Sequence, residues 1–443
     1  MTMISQLNTC GQVAVWGIGY LGYTTLLRCH RFGLKTHVWA PEGDHLALLR
    51  QGLYPPREIQ MAWSEIGSVP ALDLRQAVIC DSPEEVLKKE ISVHIVALPN
   101  TTAKGENGHR VWHEIAGVLR RHASKDRPIL ILLMSAPIPG DTVLFLNALG
   151  EVNRWARVVS AFRSDWVVED YLYRPAIQAL GGDDDALKWG KAFLDRLEVD
   201  TFRIGSHHDA ELYQAALGSF DCLVSAFVNQ LSFAYPENDI RRIAAAVLRS
   251  CQLRRIRPTI GIGGEQVMTG VEHLFRGSDY NELLSIMKEA QAFNLSSILS
   301  YADFLARRGV RRVGILGITP QADNRNLAYS PSLLLAEALI KRRMRVFVHD
   351  PYFTNTTIRE LLSGVELLRL DEPAEAWPLD AGDAVVLMTP HRHYREMNQK
   401  DMEKRICRHP GLVIDNTGLW QRFAFPCHTH YHYVGSGTVN VNG

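Results

Sequence analysis

The chain has 443 residues, 46% of them hydrophobic, with Lys+Arg and Asp+Glu equal at 48 each. This length and apolar content support two or three packed domains, and the zero formal charge gives no global field for nucleic acid or an anionic membrane surface. Residues 1–12 are polar and lack a signal-peptide core, and no apolar run reaches membrane-spanning length. The seven cysteines are scattered, odd in number and form no CxxC, which fits reduced thiols in a cytoplasmic compartment.

Residues 13–16 form an apolar run that reads as a buried parallel strand. Gly17-Ile18-Gly19-Tyr20-Leu21-Gly22, a GxGxxG, follows; residues 23–32 read as a helix stopped by Gly33, and 36–39 as the next strand. Strand, glycine turn, helix and strand in this order point to a dinucleotide-binding unit. Gly17 permits the tight turn, Gly19 lets a pyrophosphate approach the backbone, and Gly22 lets the helix pack close to the strand. The helix start supplies amide donors and a partial positive charge. Gly17, Gly19, Tyr20, Leu21 and Gly22 are therefore the expected cofactor contacts, joined by Pro99 and Ser135 at later strand ends. The acidic residue that normally holds the adenine ribose is missing from the end of the second strand, which reads Val38-Trp39-Ala40-Pro41, with Glu42 and Asp44 beyond it. No Arg stands there to hold a 2′-phosphate, so NAD is favoured and NADP stays open.

A helix near 44–51, a strand over 92–98, a helix near 110–121 and strands over 129–134 and 157–161 complete a doubly wound α/β pattern. Ligands bind beyond the carboxyl ends of such strands. Those ends carry Leu98-Pro99-Asn100-Thr101, Ser135-Ala136-Pro137-Ile138-Pro139-Gly140-Asp141-Thr142, and a stretch containing Arg163, Asp165 and Glu169. Residues 210–233 are long, mostly apolar and without Gly or Pro except Gly218; helices follow near 240–251, 281–290 and 295–308. The fold class is thus α/β, with an N-terminal Rossmann domain (1–205), a central all-helical domain (206–308) and a C-terminal Rossmann-like domain (309–443). The last domain restarts strand–helix alternation at 313–316, 332–342, 345–349, 384–388 and 412–414, without a GxGxxG. The apolar central helix needs a cover. A second copy would make the protein a homodimer; burial within one chain is the alternative. The basic pairs Arg241-Arg242 and Arg254-Arg255 read as solvated helix faces, and His207-His208 as an exposed helix lead-in. Cys427-His428-Thr429-His430-Tyr431-His432 sets three histidines on alternate positions, a shared strand face. With His391 and His393 a metal site is conceivable, but in-line strand residues rarely converge on one ion, so an exposed face is expected and no metal.

With these pieces aligned, the chain resembles the UDP-glucose/GDP-mannose dehydrogenase family over nearly its whole length. The resemblance rests on the Gly17 loop, the strand end at Leu98, and Ser135 to Thr142, similar to the family's STVPPGTT. It continues through Ala210-Glu211-Leu212, Phe227-Val228-Asn229, Gly261-Ile262-Gly263-Gly264, Gly317-Ile318, Ser330-Pro331 and Asp350-Pro351-Tyr352. It implies oxidation of a nucleotide-sugar CH2OH to a carboxylate with two NAD, through a Lys-assisted first hydride transfer and a cysteine thioester. It also implies a nucleotide-sugar-like small molecule held near Gly261, Gly263, Gly264 and Asn229.

The active positions depart from that pattern. The nucleophilic Cys falls on Gln266 and the Asp after it on Gly270; the central-helix Lys falls on Gln214 and its following Asn on Gly218. The cofactor-contacting Thr residues fall on Asn100 and Ala136, while Gln321, Asn326, Ala328 and Thr417 stand where the last domain carries charged groups. A Gln side chain forms no thioester and is no base near neutral pH, and loss of nucleophile or base costs orders of magnitude in rate. The expected function is a repurposed NAD(P)-dependent oxidoreductase acting on a CH–OH or aldehyde group by some route other than the thioester. Asp165, at the position of a catalytic Glu, would be the base if burial raised its proton affinity. Its alternative is a solvated loop carboxylate or a helix cap. The competing function is a catalytically silent regulator or scaffold in glycan or specialised metabolism.

Overall fold

The computed structural model describes residues 10–56, 59–60, 63–64, 68–87, 90–98, 109–124, 126–135, 138–163, 165, 168–173, 175–250, 256–279, 281–367, 379–405 and 410–436. Two compact units emerge, one of residues 1–217 with 272–281, the other of residues 218–271 with 282–443. The residues expected to form a central helical domain are divided between them.

The first unit holds eight strands: β1 Gln12–Trp16, β2 Lys35–Trp39, β3 Ala77–Ile79, β4 Val93–Val96, β5 Ile129–Leu133, β6 Ala156–Ser160, β7 Gln178–Gly181 and β8 Thr201–Gly205. Their order is β3-β2-β1-β4-β5-β6-β7-β8, parallel except where β6 meets β7. β4, Val-His-Ile-Val, and the Ile/Leu run of β5 are buried on both faces, as a helix-covered parallel sheet requires. The order reverses between β1 and β4, which opens a crevice at the carboxyl ends of those two strands. The last two strands, β7 and the edge strand β8, and the helix Asp184–Arg196 between them were not legible in the pattern. β8 is only partly buried, so its residues do not alternate.

The first helix runs Tyr20–Arg31, three residues earlier than predicted. Gly22 lies inside it rather than ahead of it. A Cβ on Gly22 would sit 2.0 Å from the Gly17 carbonyl oxygen, so the helix turns straight off the strand.

Within β4 lies His94, fully buried. It accepts a hydrogen bond from Trp16 Nε1 at 3.3 Å through Nδ1, and its Nε2 faces the Ile91 carbonyl at 3.1 Å. Both ring nitrogens are thus used in the neutral form, and burial holds its pKa down to about 3. The unfolded chain takes up a proton near pH 6.5 and the folded one does not. Stability is therefore level above that pH and falls as pH drops toward 3, by about 1.4 kcal/mol per pH unit for this one group. His94→Gln is expected to flatten that acid slope, read as denaturation midpoint against pH from 8 to 5. An unchanged slope would count against it.

The second unit holds β9 Arg312–Leu316, β10 Arg345–His349, β11 Val365–Leu367, β12 Ala384–Leu387, β13 Leu412–Asp415 and β14 His430–Tyr433. The order is β11-β10-β9-β12-β13-β14, all parallel. One continuous helix, Ser285–Arg307, replaces the two predicted around residues 281–290 and 295–308. Asn294, which weakens the helical pattern, spends its amide on a neighbouring loop instead of interrupting its own helix. The helix Glu265–Arg276 was not predicted. The long helix spans His207–Ala234.

The histidine expectations need correction. His428 precedes β14, His430 is exposed, and His432 is buried against the Tyr301 ring at 6.3 Å, with burial pressing its pKa to about 4. The three do not share an exposed face. His207 is half-buried and bonds Ser160 Oγ at 3.0 Å, so only His208 is an exposed lead-in. His391 is buried within hydrogen-bond reach of Asp350, and His393 packs on the Tyr394 ring. Among the described residues no group of three or more His, Cys, Asp or Glu could hold a metal ion. None of the helices so described is long and apolar enough to cross a membrane.

Candidate functional site

In the first unit the chain leaves β1 through Gly17, whose φ of +103° and the 2.4 Å from its notional Cβ to the Ala97 carbonyl both demand glycine. Tyr54 fixes the turn by donating its hydroxyl to the Ile18 carbonyl at 2.7 Å. Gly19 differs from its two partners. It is exposed, and a Cβ added there meets nothing within 4 Å. The helix Tyr20–Arg31 starts at Gly19 with no side-chain cap and no acidic residue in its first turn. Its amides are therefore free to face an anion, in a fold where that end carries partial positive charge. Ser135 is buried beyond β5. Pro99, Asn100 and Ala136 lie outside the described residues. Glu42 is exposed at the start of the helix Gly43–Arg50 and caps no amide with its side chain, so it is presented beyond the end of β2.

Beyond β6 lies a buried ion pair. Arg163 Nε donates to Asp165 Oδ1 at 2.8 Å, Arg163 Nη2 donates to Oδ2, and the Tyr20 hydroxyl donates to Oδ2 at 2.7 Å. The two side chains are 1% and 4% exposed. Arg163 Nη1 goes on to the Leu21 carbonyl at 3.0 Å and Thr25 Oγ1 at 2.9 Å, and its guanidinium lies over the Tyr171 ring. Burial works to lower the proton affinity of Arg163, but Asp165 outweighs it and the guanidinium is held more firmly charged. Burial, then Asp165, pushes the Tyr20 phenol far up. Asp165 is thus not a solvated loop carboxylate. Glu169, four residues on, accepts from Ser64 Oγ.

Two residues of the long helix complete this side. Glu211, buried, accepts the amides of Gly140 at 2.6 Å and Thr142 at 2.8 Å, tying the loop after β5 to the helix. Gln214 donates Nε2 to the Arg163 carbonyl at 3.4 Å, and its Oε1 is buried with no hydrogen-bond partner.

In the second unit the glycine loop is held by three asparagines. Asn229 Oδ1 accepts Thr259 N at 2.7 Å, Asn416 Oδ1 accepts Ile260 N at 2.6 Å, and Asn294 pairs with both the amide and the carbonyl of Ile262. Asn294 and Asn416 carried no motif of their own; only three-dimensional proximity reveals them. Gly261 and Gly263 are required by packing, since a Cβ would stand 2.6 Å from Ile298 and 2.3 Å from the Tyr329 carbonyl. Gly264 is more open, its notional Cβ 3.8 Å from Gln321 Nε2. Gln266 lies in the first turn of the helix Glu265–Arg276, and its side chain is outside the described residues. Gln321 is exposed, and Asn326 Oδ1 accepts the amide of Ala328 at 2.8 Å.

Residues 314–422 match the model of the UDP-glucose/GDP-mannose dehydrogenase family, UDP binding domain. Over those residues the chain is similar to that domain. It is 23% identical over 437 residues to a UDP-glucose 6-dehydrogenase of Pseudomonas aeruginosa, a match covering 92% of this chain and 94% of that protein. It is 25% identical over 218 residues to an NDP-N-acetyl-D-galactosaminuronic acid dehydrogenase of Ralstonia nicotianae, spanning only 48%, about half, of each protein. Its fold follows that of a UDP-glucose dehydrogenase from Pyrobaculum islandicum, with TM-score 0.75 at 19% identity over 96% of this chain and 98% of that one.

Proposed function

We propose that the first unit binds NAD and that the chain is an oxidoreductase acting on a CH–OH or aldehyde group of a small polar molecule, a nucleotide sugar or a compound derived from one. The observation that supports this most is Gly19, an open backbone position between a strained turn and an uncapped helix start. Gly17, Gly19, Tyr20, Leu21 and Gly22 would hold the pyrophosphate, and Glu42 is placed to meet the ribose hydroxyls. Bound NAD would supply a hydride acceptor at its nicotinamide ring. The chain's own residues bind and orient: Glu211 fixes the loop after β5, and Gln214 offers an unpaired acceptor oxygen to a substrate hydroxyl or N–H. With Gln at the nucleophile and Lys positions, oxidation stops short of the four-electron thioester route. Titration with NAD and NADP, followed by a turnover screen over nucleotide sugars, tests the reading; binding of neither cofactor defeats it.

The second reading is a silent homologue that regulates or scaffolds an active enzyme. The full engagement of Asp165 favours it, because that carboxylate has no free oxygen to take a substrate proton. Cofactor binding without turnover on any tested substrate would support it.

The helix Phe220 and Phe227 occupy is proposed to pair with a second copy. Those residues are seven apart on one helical face and stand 47% and 50% exposed, and Ile243 and Val247 on the helix Ile240–Ser250 are 44% and 42% exposed. Phe220→Asp with Phe227→Asp is expected to halve the mass seen by light scattering while the far-ultraviolet circular dichroism stays native. An unchanged mass would overturn the pairing.

A further inference from the structure

We infer that the buried Arg163–Asp165 pair is a positioning device for the glycine turn, acting through the Tyr20 hydroxyl and the Leu21 carbonyl, and that Asp165 is not the proton acceptor of the reaction. This rests on the reading of the first unit as a dinucleotide site.

Tyr20 and Leu21 are the first two residues of the helix whose amides would face the pyrophosphate. Gly19 brings no capping side chain to that end. Instead the anchoring comes from the loop after β6. Asp165 holds the Tyr20 phenol at 2.7 Å, and Arg163 reaches the Leu21 carbonyl and Thr25 Oγ1 at 3.0 and 2.9 Å. Thr25 Oγ1 in turn donates to the same Leu21 carbonyl at 2.7 Å, and Thr24 Oγ1 to the Tyr20 carbonyl at 2.7 Å. The first helical turn is thus clamped by charge-assisted bonds in a buried site, where such bonds are strongest. A guanidinium two residues before the carboxylate, locked over the Tyr171 ring, holds Asp165 turned inward. A carboxylate whose two oxygens both accept internal donors is committed to the helix start. The position therefore serves binding through preorganisation.

The test compares the whole wild-type protein with Tyr20→Phe and Asp165→Asn. The first removes only the hydroxyl; the second leaves the Arg163 charge short of its partner, so if it fails to fold the first still decides. Hydrogen exchange in the ligand-free proteins is expected to quicken in peptides covering residues 17–25 and to stay at wild-type rates over residues 312–341. NAD titration is expected to weaken about tenfold for Tyr20→Phe, what one charge-assisted hydrogen bond is worth. Wild-type exchange rates in Tyr20→Phe would overturn the inference. So would an Asp165→Asn variant that keeps cofactor affinity but loses turnover together with the acid limb of its pH profile, the mark of a base. If wild-type protein binds no dinucleotide, the proposed function fails, and the exchange rates alone decide whether the pair positions the turn.

Discussion

Gly19→Asp is expected to leave the fold standing, to raise its thermal midpoint slightly, and to weaken NAD binding by about 100-fold or more. The three glycines of the turn answer to different constraints, and only one is free for such an experiment. Gly17 has φ +103° and Gly22 would drive a Cβ to 2.0 Å from the Gly17 carbonyl, so substitution at either distorts the strand–helix junction. Gly19 has φ −58°, within reach of any residue, and open space where its Cβ would be. An aspartate there is a favoured helix cap, worth about 0.5–2 kcal/mol relative to a residue that cannot cap, though only a few tenths relative to glycine. The same carboxylate occupies the space of the pyrophosphate and sets like charge against it, a loss of about 3 kcal/mol or more at roughly 1.4 kcal/mol per tenfold. Calorimetric titration together with a thermal melt checks both halves. Wild-type NAD affinity in this variant would show that the dinucleotide, if bound, lies elsewhere.

Much of this site was legible because its constraint is local. A GxGxxG between a buried strand and a helix encodes its own geometry, and the strand ends follow from the order of apolar runs. The helix start was displaced to residue 23 because Gly22 reads as a breaker, whereas its missing side chain is what lets the helix begin at Tyr20. What stayed hidden depends on contacts between distant segments. Asp165 could be placed at a catalytic position, but not its commitment to Arg163 and to Tyr20, 145 residues away. Asn294 looked like a gap between two helices, since asparagine propensity is low. Its amide instead pairs with the Ile262 peptide, which one sequence position cannot announce. The strands β7 and β8 escaped because each is only four or five residues long and carries no long apolar run. The histidines around His430 were read by period alone, and burial of His432 against Tyr301 overrides the period.

Asp415→Ala is expected to destabilise the second unit by about 4 kcal/mol or more, and to do so from the β13–β14 edge. Asp415 ends β13 with its side chain fully buried. Its Oδ1 accepts the Thr417 amide, the Thr417 hydroxyl and the Gly418 amide, each at 2.8 Å; its Oδ2 accepts the Trp420 amide and the Tyr431 hydroxyl, each at 2.8 Å. Truncation strands all of these donors at once. A bond to a charged acceptor is worth about 1.5–3 kcal/mol, and a donor left buried and unpaired costs about 1–3 kcal/mol, so even partial rescue by water leaves a large deficit. The turn those bonds hold leads into Trp420, itself fully buried, and Tyr431 stacks on Phe425 at 4.4 Å, so loosening spreads into β14. Asp415→Asn separates charge from shape. Its oxygen can serve the Oδ1 donors, but its amino group meets the Trp420 amide and the Tyr431 hydroxyl, and the amide is a donor that cannot reverse. The asparagine variant should therefore fall between wild type and alanine. Urea denaturation followed by hydrogen exchange over residues 410–436 measures the order of the three. An alanine variant with the wild-type midpoint, or an asparagine variant worse than alanine, would show that this carboxylate does not organise the edge of the second sheet.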